Sequence, residues 1–130
     1  MDNVSGIKFD YVIIRKPNKP SRNLFEYAAW LNITHKNKIF LTIDDVCIID
    51  FIHELSSYNL NLITYEFIPM DAEDKVLIFK RIDSENIEIT SEWTDNKIII
   101  NQEDLINSIK MLRHDFEKKL KVKIDRYYKK

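Results

Sequence analysis

The sequence predicts an α+β domain in which two helices pack on antiparallel strands, in the order βββ-α-ββββ-α. Isoleucine, which is β-branched and suits strands, accounts for 21 of the 130 residues. Short polar turns separate the strand-like runs, and short turns permit antiparallel pairing. Two further stretches have apolar residues at helical spacing, which predicts the two helices. The expected architecture is therefore two layers, with an antiparallel sheet of about six to seven strands.

The first three strands are predicted over residues 7–15, 26–34 and 39–43. Aromatic and β-branched side chains are frequent in these runs, as is typical of strands. Residues 16–23 contain two prolines and form a loop. The second run contains an Ala pair, so a helix competes with the strand there. The next polar stretch, residues 35–38, is a hairpin turn in which Asn37 can adopt left-handed backbone.

The first helix is predicted to begin after Asp44, which is a good N-cap residue. It should end near Tyr58, and it would carry Cys47 beside its apolar side. The apolar residues recur at spacings that place them on one buried face: Ile48, Phe51, Ile52 and Leu55.

Four more strands are predicted as a meander over residues 62–70, 76–81, 86–93 and 97–101. In the third of these, Ile87, Ile89, Ser91 and Trp93 share one face, because successive strand residues point to opposite sides. We therefore expect Trp93 in or near the core. Replacement of Trp93 by Ala would then cost roughly 3–5 kcal/mol of folding free energy.

The last helix is predicted to begin after Asn101, a second N-cap candidate. The tail, residues 125–130, is expected to fray, and the whole of 1–130 is expected to form a single domain. The strongest periodic signal in the chain places these residues on the buried face of this helix: Leu105, Ile109, Leu112, Phe116 and Leu120.

Charge is distributed unevenly along the chain. Residues 23–109 hold 16 acidic against 6 basic residues, a net of −10, whereas residues 110–130 hold 9 basic against 3 acidic, a net of +6. The first 22 residues add 5 basic and 2 acidic, or +3. Such a chain offers two surfaces that attract different partners. The basic final helix is open to three interpretations: a solvated face, a protein contact or a nucleic-acid contact.

The sequence contains no catalytic motif that we recognise, so we expect a protein that is not an enzyme. Gly6 is the only glycine, which excludes a glycine-rich phosphate loop. Cys47 is the only cysteine, and we expect it to be a buried, inert thiol because His53 is about 240° away around the helix. His53 itself is expected to be exposed. We predict no cofactor and no metal site.

The N-terminus lacks a signal-peptide pattern, and no apolar run is long enough to span a membrane. We therefore expect a cytoplasmic protein with no membrane partner.

The turn from Asp71 to Asp74 concentrates three carboxylates in four residues. Three interpretations remain open: a solvated turn, a partner-binding turn, and a calcium site that lacks the features of an EF-hand loop. Glu88 and Glu92 share one strand face with Thr90, and Glu66 joins them if its face matches. Acid–base chemistry by these carboxylates would require a cleft that raises their pKa values.

The segments YEFIPMDAED (65–74), LIF (77–79) and ITSEW (89–93) resemble a group of small bacterial proteins. In that group an aromatic strand ends in an acidic turn, and two further strands precede a C-terminal helix. The resemblance covers residues 60–120. More broadly, the chain resembles the immunity proteins of bacterial polymorphic toxin systems. That resemblance implies a small cytoplasmic α+β protein that binds a cognate toxin domain and blocks it, without catalytic residues.

The leading hypothesis is thus a non-catalytic module that binds a toxin or another protein through an acidic surface. The alternatives are a self-associating or scaffold domain, which leaves a homodimer open, a nucleic-acid accessory protein that uses the basic final helix, and an enzyme of unrecognised class. A nucleic-acid partner is disfavoured by the overall pI near 6.3. The expected partner-binding residues are Asp71, Glu73, Asp74, Glu88 and Glu92.

Overall fold

The computed structural model describes residues 6–58, 63–69 and 73–128. Within these residues, seven strands and two helices follow one another in the order βββ-α-ββββ-α, which confirms the predicted α+β fold. The first three strands form one antiparallel sheet and the last four form another, each in chain order. The bounds are β1 Ile7–Arg15, β2 Ala28–His35, β3 Lys38–Cys47, α1 Ile48–Ser57, β4 Thr64–Phe67, β5 Leu77–Arg81, β6 Asn86–Ser91, β7 Thr94–Asn101 and α2 Gln102–Leu120.

A two-residue turn joins β2 to β3. Its residues, Lys36 and Asn37, have φ values of 52° and 68°. Two consecutive positive φ angles match the twist of the flanking strands, which makes this turn compatible with a tight hairpin. The left-handed backbone predicted at Asn37 is confirmed. Its extension to Lys36 was not expected, since only Asn37 was predicted to adopt left-handed backbone.

The strand β3 is longer than predicted, and α1 begins at Ile48. The prediction that Asp44 caps the helix is wrong, because the last two residues of β3 still pair with Ala28 and Ala29 of β2. Cys47 therefore ends a strand and occupies the N-cap position, where its side chain makes no capping hydrogen bond. Continued pairing to β2 outweighs the local capping preference of the aspartate.

In the second sheet, β6 shows the predicted alternation as far as Ser91. Ile87 and Ile89 are fully buried, and Ser91 is buried beside them. The expectation that Trp93 is buried in the same row is wrong, since 43% of its surface is exposed. The reason is that β6 ends at Ser91, and the turn into β7 breaks the alternation before Trp93 is reached.

The helix α2 begins as predicted. The Asn101 side-chain oxygen accepts a hydrogen bond from the Glu103 amide at 2.8 Å, which satisfies one free amide of the first turn. The helix ends where Lys121 adopts left-handed backbone. Leu120, the last residue of the predicted apolar stripe, is half-buried. The other four residues of the stripe are buried against the core: Leu105, Ile109, Leu112 and Phe116.

The segment after α2 is ordered by packing, so the prediction of a frayed tail is wrong for residues 125–128. Residues Ile124–Tyr127 form a short 3₁₀ helix, and Ile124 has no exposed surface. The Tyr128 ring stacks on His53 of α1 with ring centres 3.5 Å apart. Residues 129 and 130 lie outside the described part of the chain.

Both helices share one hydrophobic core with the inner faces of the two sheets. Phe51 of α1 links them, because its ring contacts Phe9 of β1 at 5.9 Å and Phe67 of β4 at 5.2 Å, both edge-to-face. In the described part of the chain, no helix is both long enough and apolar enough to cross a membrane.

Candidate protein-binding surface

The predicted acidic turn is only partly described. Asp71 lies outside the described residues, whereas Glu73 and Asp74 are described and exposed. Both precede β5, on the side of the second sheet where β6 turns into β7. The two connections meet there, since the Glu92 amide donates to the Lys75 carbonyl at 3.1 Å.

Trp93 lies at this meeting point and is held in place by a carboxylate. Its indole Nε1 donates a hydrogen bond to Asp74 Oδ2 at 2.7 Å, and its backbone amide donates to Ser91 Oγ at 3.0 Å. The ring is thus exposed yet fixed in orientation. An exposed, oriented aromatic ring offers a large contact area at a low cost in conformational entropy.

A lysine joins the neighbouring carboxylates. The Glu92 side chain accepts a hydrogen bond from the Lys75 amide at 2.6 Å, and the Lys75 ammonium lies 3.1 Å from Glu66 Oε2. Glu66 therefore belongs to the same cluster. We refer to these residues as the Trp93 surface: Glu66, Asp74, Lys75, Glu92 and Trp93.

Glu88 lies on the outer face of the same sheet, two residues before Thr90 on β6. Thr90 lies opposite Ile78 of β5, and Ile78 lies opposite Glu66 of β4, so the register places Glu66 on the same face. Glu88 is paired with Lys97 of β7 at 3.5 Å. The fold thus brings Asp74 and Glu92 together around Trp93, while Glu88 belongs to a separate ion pair.

The nearest approach to a catalytic constellation is on α1. Asp50 is buried, and its Oδ1 accepts a hydrogen bond from the Tyr128 hydroxyl at 3.4 Å. His53 stacks on the same tyrosine and is half-buried, so the expectation of an exposed His53 is wrong. Its Nδ1 is buried and makes no hydrogen bond within the described residues.

Burial raises the pKa of the Asp50 carboxyl, and the negative charge of nearby Glu54 raises it further. Tyr65 donates a hydrogen bond to Glu54 Oε1 at 2.9 Å, and burial raises the pKa of its phenol. Raised pKa values of buried carboxyl and phenol groups also occur in clusters of titratable residues that have only a structural role. Here the carboxylates hold tyrosine side chains against α1.

Among the described residues, cavities are found at three places away from this cluster. One of about 560 Å³ lies between β1 and α2, one of about 390 Å³ between the two helices, and one of about 500 Å³ between the loop before β2 and the end of the chain. Neither Asp50 nor His53 lines any of the three. The described residues also contain no group of three or more His, Cys, Asp and Glu that could hold a metal ion.

Cys47 is half-buried, and its Sγ lies 3.4 Å from the carbonyl oxygen of Leu24. The thiol therefore contacts the loop before β2 from the end of β3, and the prediction that Cys47 lies on the helix α1 is wrong.

The exposure of Trp93 was not predicted from the sequence. The predicted strand over 86–93 extended two residues too far, because the turn lies at Glu92 and Trp93 and β7 already begins at Thr94.

A family model described as a domain of unknown function, DUF7878, matches residues 8–122 of the chain. No curated protein and no solved structure matches it.

Proposed function

We propose on physical grounds that this chain, which belongs to the DUF7878 family of domains of unknown function, is a non-catalytic protein-binding module. The observation that carries the proposal is the exposed ring of Trp93, held by Asp74 at 2.7 Å among carboxylates. Fixed aromatic residues surrounded by polar groups are typical of the energetic centre of a protein interface. The Trp93 surface has that composition.

The partner in this proposal is a cognate bacterial toxin domain with a basic cleft, which the chain binds and neutralises. Three carboxylates of the Trp93 surface and the exposed Glu73 are accompanied by one lysine, Lys75. An acidic patch of this kind speeds association with a basic cleft and opposes binding of the toxin's own anionic substrate. The resemblance to immunity proteins and a cytoplasmic location belong to the same proposal.

The experiment is a capture from nuclease-treated lysate of the native host, with the tagged chain as bait and washes at moderate and high salt. We expect one stoichiometric protein partner that contains a toxin-like domain. Its activity should be blocked by addition of an equimolar amount of the chain. Recovery of the bait alone, in a monomeric state, would contradict the proposal.

Variants locate the surface once the partner is in hand. Reversal of Asp71, Glu73 and Asp74 to Lys should slow association and flatten its dependence on salt. A second variant, Trp93→Ala, should mainly speed dissociation, because it removes the aromatic anchor.

A matched control reverses three exposed acidic residues away from this surface: Asp44, Glu85 and Glu103. If this control slows association as much as the first variant does, net charge rather than the Trp93 surface determines binding.

Self-association is a second candidate, favoured by exposed apolar side chains on the outer face of the first sheet. Val12 and Ile14 of β1 are 58% and 46% exposed, and Val12 pairs with Trp30 of β2. Exposed apolar clusters mark interfaces. Light scattering would give a doubled mass in this case, and Val12→Lys would restore the monomer mass.

A further inference from the structure

Basic residues from the two ends of the chain converge on one groove. Residues 20–22 of the loop before β2 line one side, and residues from 121 onwards, after α2, line the other. The groove has a volume of about 500 Å³. Its described lining residues include no carboxylate and four cations, which are Arg22, Lys121, Lys123 and Arg126. We call this feature the cationic groove.

Hydrogen bonds fix the first wall. The Ser21 amide donates to the Tyr27 hydroxyl at 3.1 Å, and the Ser21 carbonyl accepts from the Tyr127 hydroxyl at 2.5 Å. The Ser21 hydroxyl in turn accepts from the Asn23 amide at 3.0 Å. Arg22 therefore extends from a backbone that is held on both sides.

Burial of alternate residues fixes the second wall. Val122 and Ile124 are 8% and 0% exposed, whereas Lys121 and Lys123 are exposed. The amide of Ile124 also donates to Glu117 Oε2 at 2.8 Å. The two lysines are consequently turned outward by the same packing that anchors the segment.

Aromatic contacts join the two walls. The rings of Tyr27 and Tyr127 meet edge-to-face with centres 6.1 Å apart. Together with the bond from Tyr127 to Ser21, this contact ties the end of the chain to the loop before β2. The groove is thus formed before any ligand arrives, which lowers the entropic cost of binding.

No described carboxylate lies within 4 Å of the charged group of any of the four cations. None of them forms an ion pair within the described residues, while nearby Arg113 pairs with both Glu117 and Asp125. Like charges held together repel one another, and a bound anion relieves that repulsion. The arrangement is therefore unfavourable without an anion and favourable with one.

We propose that the cationic groove binds a chain of two or three phosphate groups, carried either by a short inorganic phosphate chain such as tripolyphosphate or by a nucleotide. A phosphate group carries about one to two negative charges near neutral pH, so two or three match the four cations. The planar donors of Arg22 and Arg126 suit phosphate oxygens. The net charge of −10 on residues 23–109 repels a long polyanion, which favours a short one.

The test is calorimetric titration of the full chain with sodium tripolyphosphate, with ATP, with a single-stranded oligothymidine and with an oligoglutamate peptide. Divalent cations are absent, and salt is first low and then high. We expect tripolyphosphate and ATP to bind at low salt and more weakly at high salt. Equal affinities identify the phosphate chain as the determinant, and tighter ATP binding identifies a nucleotide as the source.

The variant Arg22→Gln/Arg126→Gln should lower the affinity for tripolyphosphate at least about tenfold, since two charge-assisted contacts are lost. A matched control, Lys38→Gln/Lys80→Gln, removes the same charge from exposed positions outside the groove. Its affinity should stay within about twofold of the original. Circular dichroism would check that both variants are folded.

Four results would overturn the proposal. They are no binding of tripolyphosphate or ATP, an equal loss in the control variant, tighter binding of oligothymidine than of either phosphate probe, and tighter binding of oligoglutamate. The third result would indicate a nucleic-acid surface, and the fourth would indicate an acidic protein partner. The groove lies apart from the Trp93 surface, so failure here leaves the proposed function untouched.

Discussion

The Trp93 surface and the cationic groove are both built where two connections meet, but they treat charge in opposite ways. In the Trp93 surface, Lys75 lies 3.1 Å from Glu66, and Lys97 pairs with nearby Glu88 at 3.5 Å. In the cationic groove, no described carboxylate is among the residues that line it with the four cations. The net charge counted along the sequence therefore does not predict the electrostatic field at the surface, because the fold determines which charged residues form ion pairs.

The two regions also differ in how they are held. Trp93 and Asp74 are fixed by a hydrogen bond between exposed groups. The second wall of the cationic groove is fixed by buried aliphatic residues, of which Ile124 is the best buried. Burial contributes more free energy than an exposed hydrogen bond does. We therefore expect loss of a buried residue behind the groove to cost more folding free energy than loss of Trp93, which the following substitutions test.

Ile124→Ala should have the largest effect. Loss of a fully buried isoleucine costs about 2–5 kcal/mol of folding free energy. Urea unfolding measures the loss, and titration with tripolyphosphate should show weaker binding in the same variant. Met111→Ala is the control, because Met111 is 72% exposed and its loss should change stability by less than about 0.5 kcal/mol. Equal stability of the two variants would mean that the segment after α2 is not anchored.

Trp93→Ala should have an intermediate effect of about 1 kcal/mol, the usual value for one hydrogen bond with modest packing. Phe79→Ala is the comparison, since Phe79 of β5 is fully buried and its loss should cost about 3–5 kcal/mol. Denaturant midpoints distinguish the two. A loss of several kcal/mol in the Trp93 variant would restore the original expectation that this residue belongs to the core.

The order of helices and strands was predictable because the spacing of hydrophobic residues is a property of the local sequence. The stripe from Leu105 to Phe116 identified α2, and the alternation of Ile87 and Ile89 identified a strand. Boundaries were less predictable where a long-range pairing competes with a local preference. Asp44 suits a helix cap, yet pairing of β3 with β2 continues beyond it.

Neither the Trp93 surface nor the cationic groove was fully predictable, because the residues that form each of them are far apart in the sequence. Asp74 and Trp93 are 19 residues apart, and Ser21 and Tyr127 are 106 apart. Only tertiary packing brings such residues together. The charge counts did indicate two basic ends, but they did not indicate that Arg22 meets Lys121 and Lys123 in one groove.

The pKa of Asp50, which accepts the hydrogen bond from Tyr128, predicts how folding stability changes with pH. Burial and Glu54 raise the pKa of its carboxyl above the unfolded value, while the Tyr128 hydrogen bond and His53 oppose that rise. The stability that Asp50 contributes is therefore fully present below the unfolded pKa and is lost as pH rises through the folded pKa. Relative to Asp50→Asn, the original chain should lose stability as pH rises from about 4, the ordinary range for an aspartate. Urea unfolding across pH measures the difference, and a difference that stays constant would contradict the raised pKa.

The two smallest expected changes in stability have opposite signs, one in the Trp93 surface and one in the cationic groove. Lys75→Gln removes a half-exposed partner of Glu66, so it should lower stability by no more than about 0.5 kcal/mol. Arg22→Gln removes one of several unpaired like charges, so it should raise stability by a similarly small amount, about 0.5 kcal/mol or less. Both changes should disappear at high salt, because screening weakens attraction and repulsion alike. Replicate urea titrations at low and high salt can resolve the two signs, and a loss of stability in both variants would mean that the cations of the groove have carboxylate partners in solution.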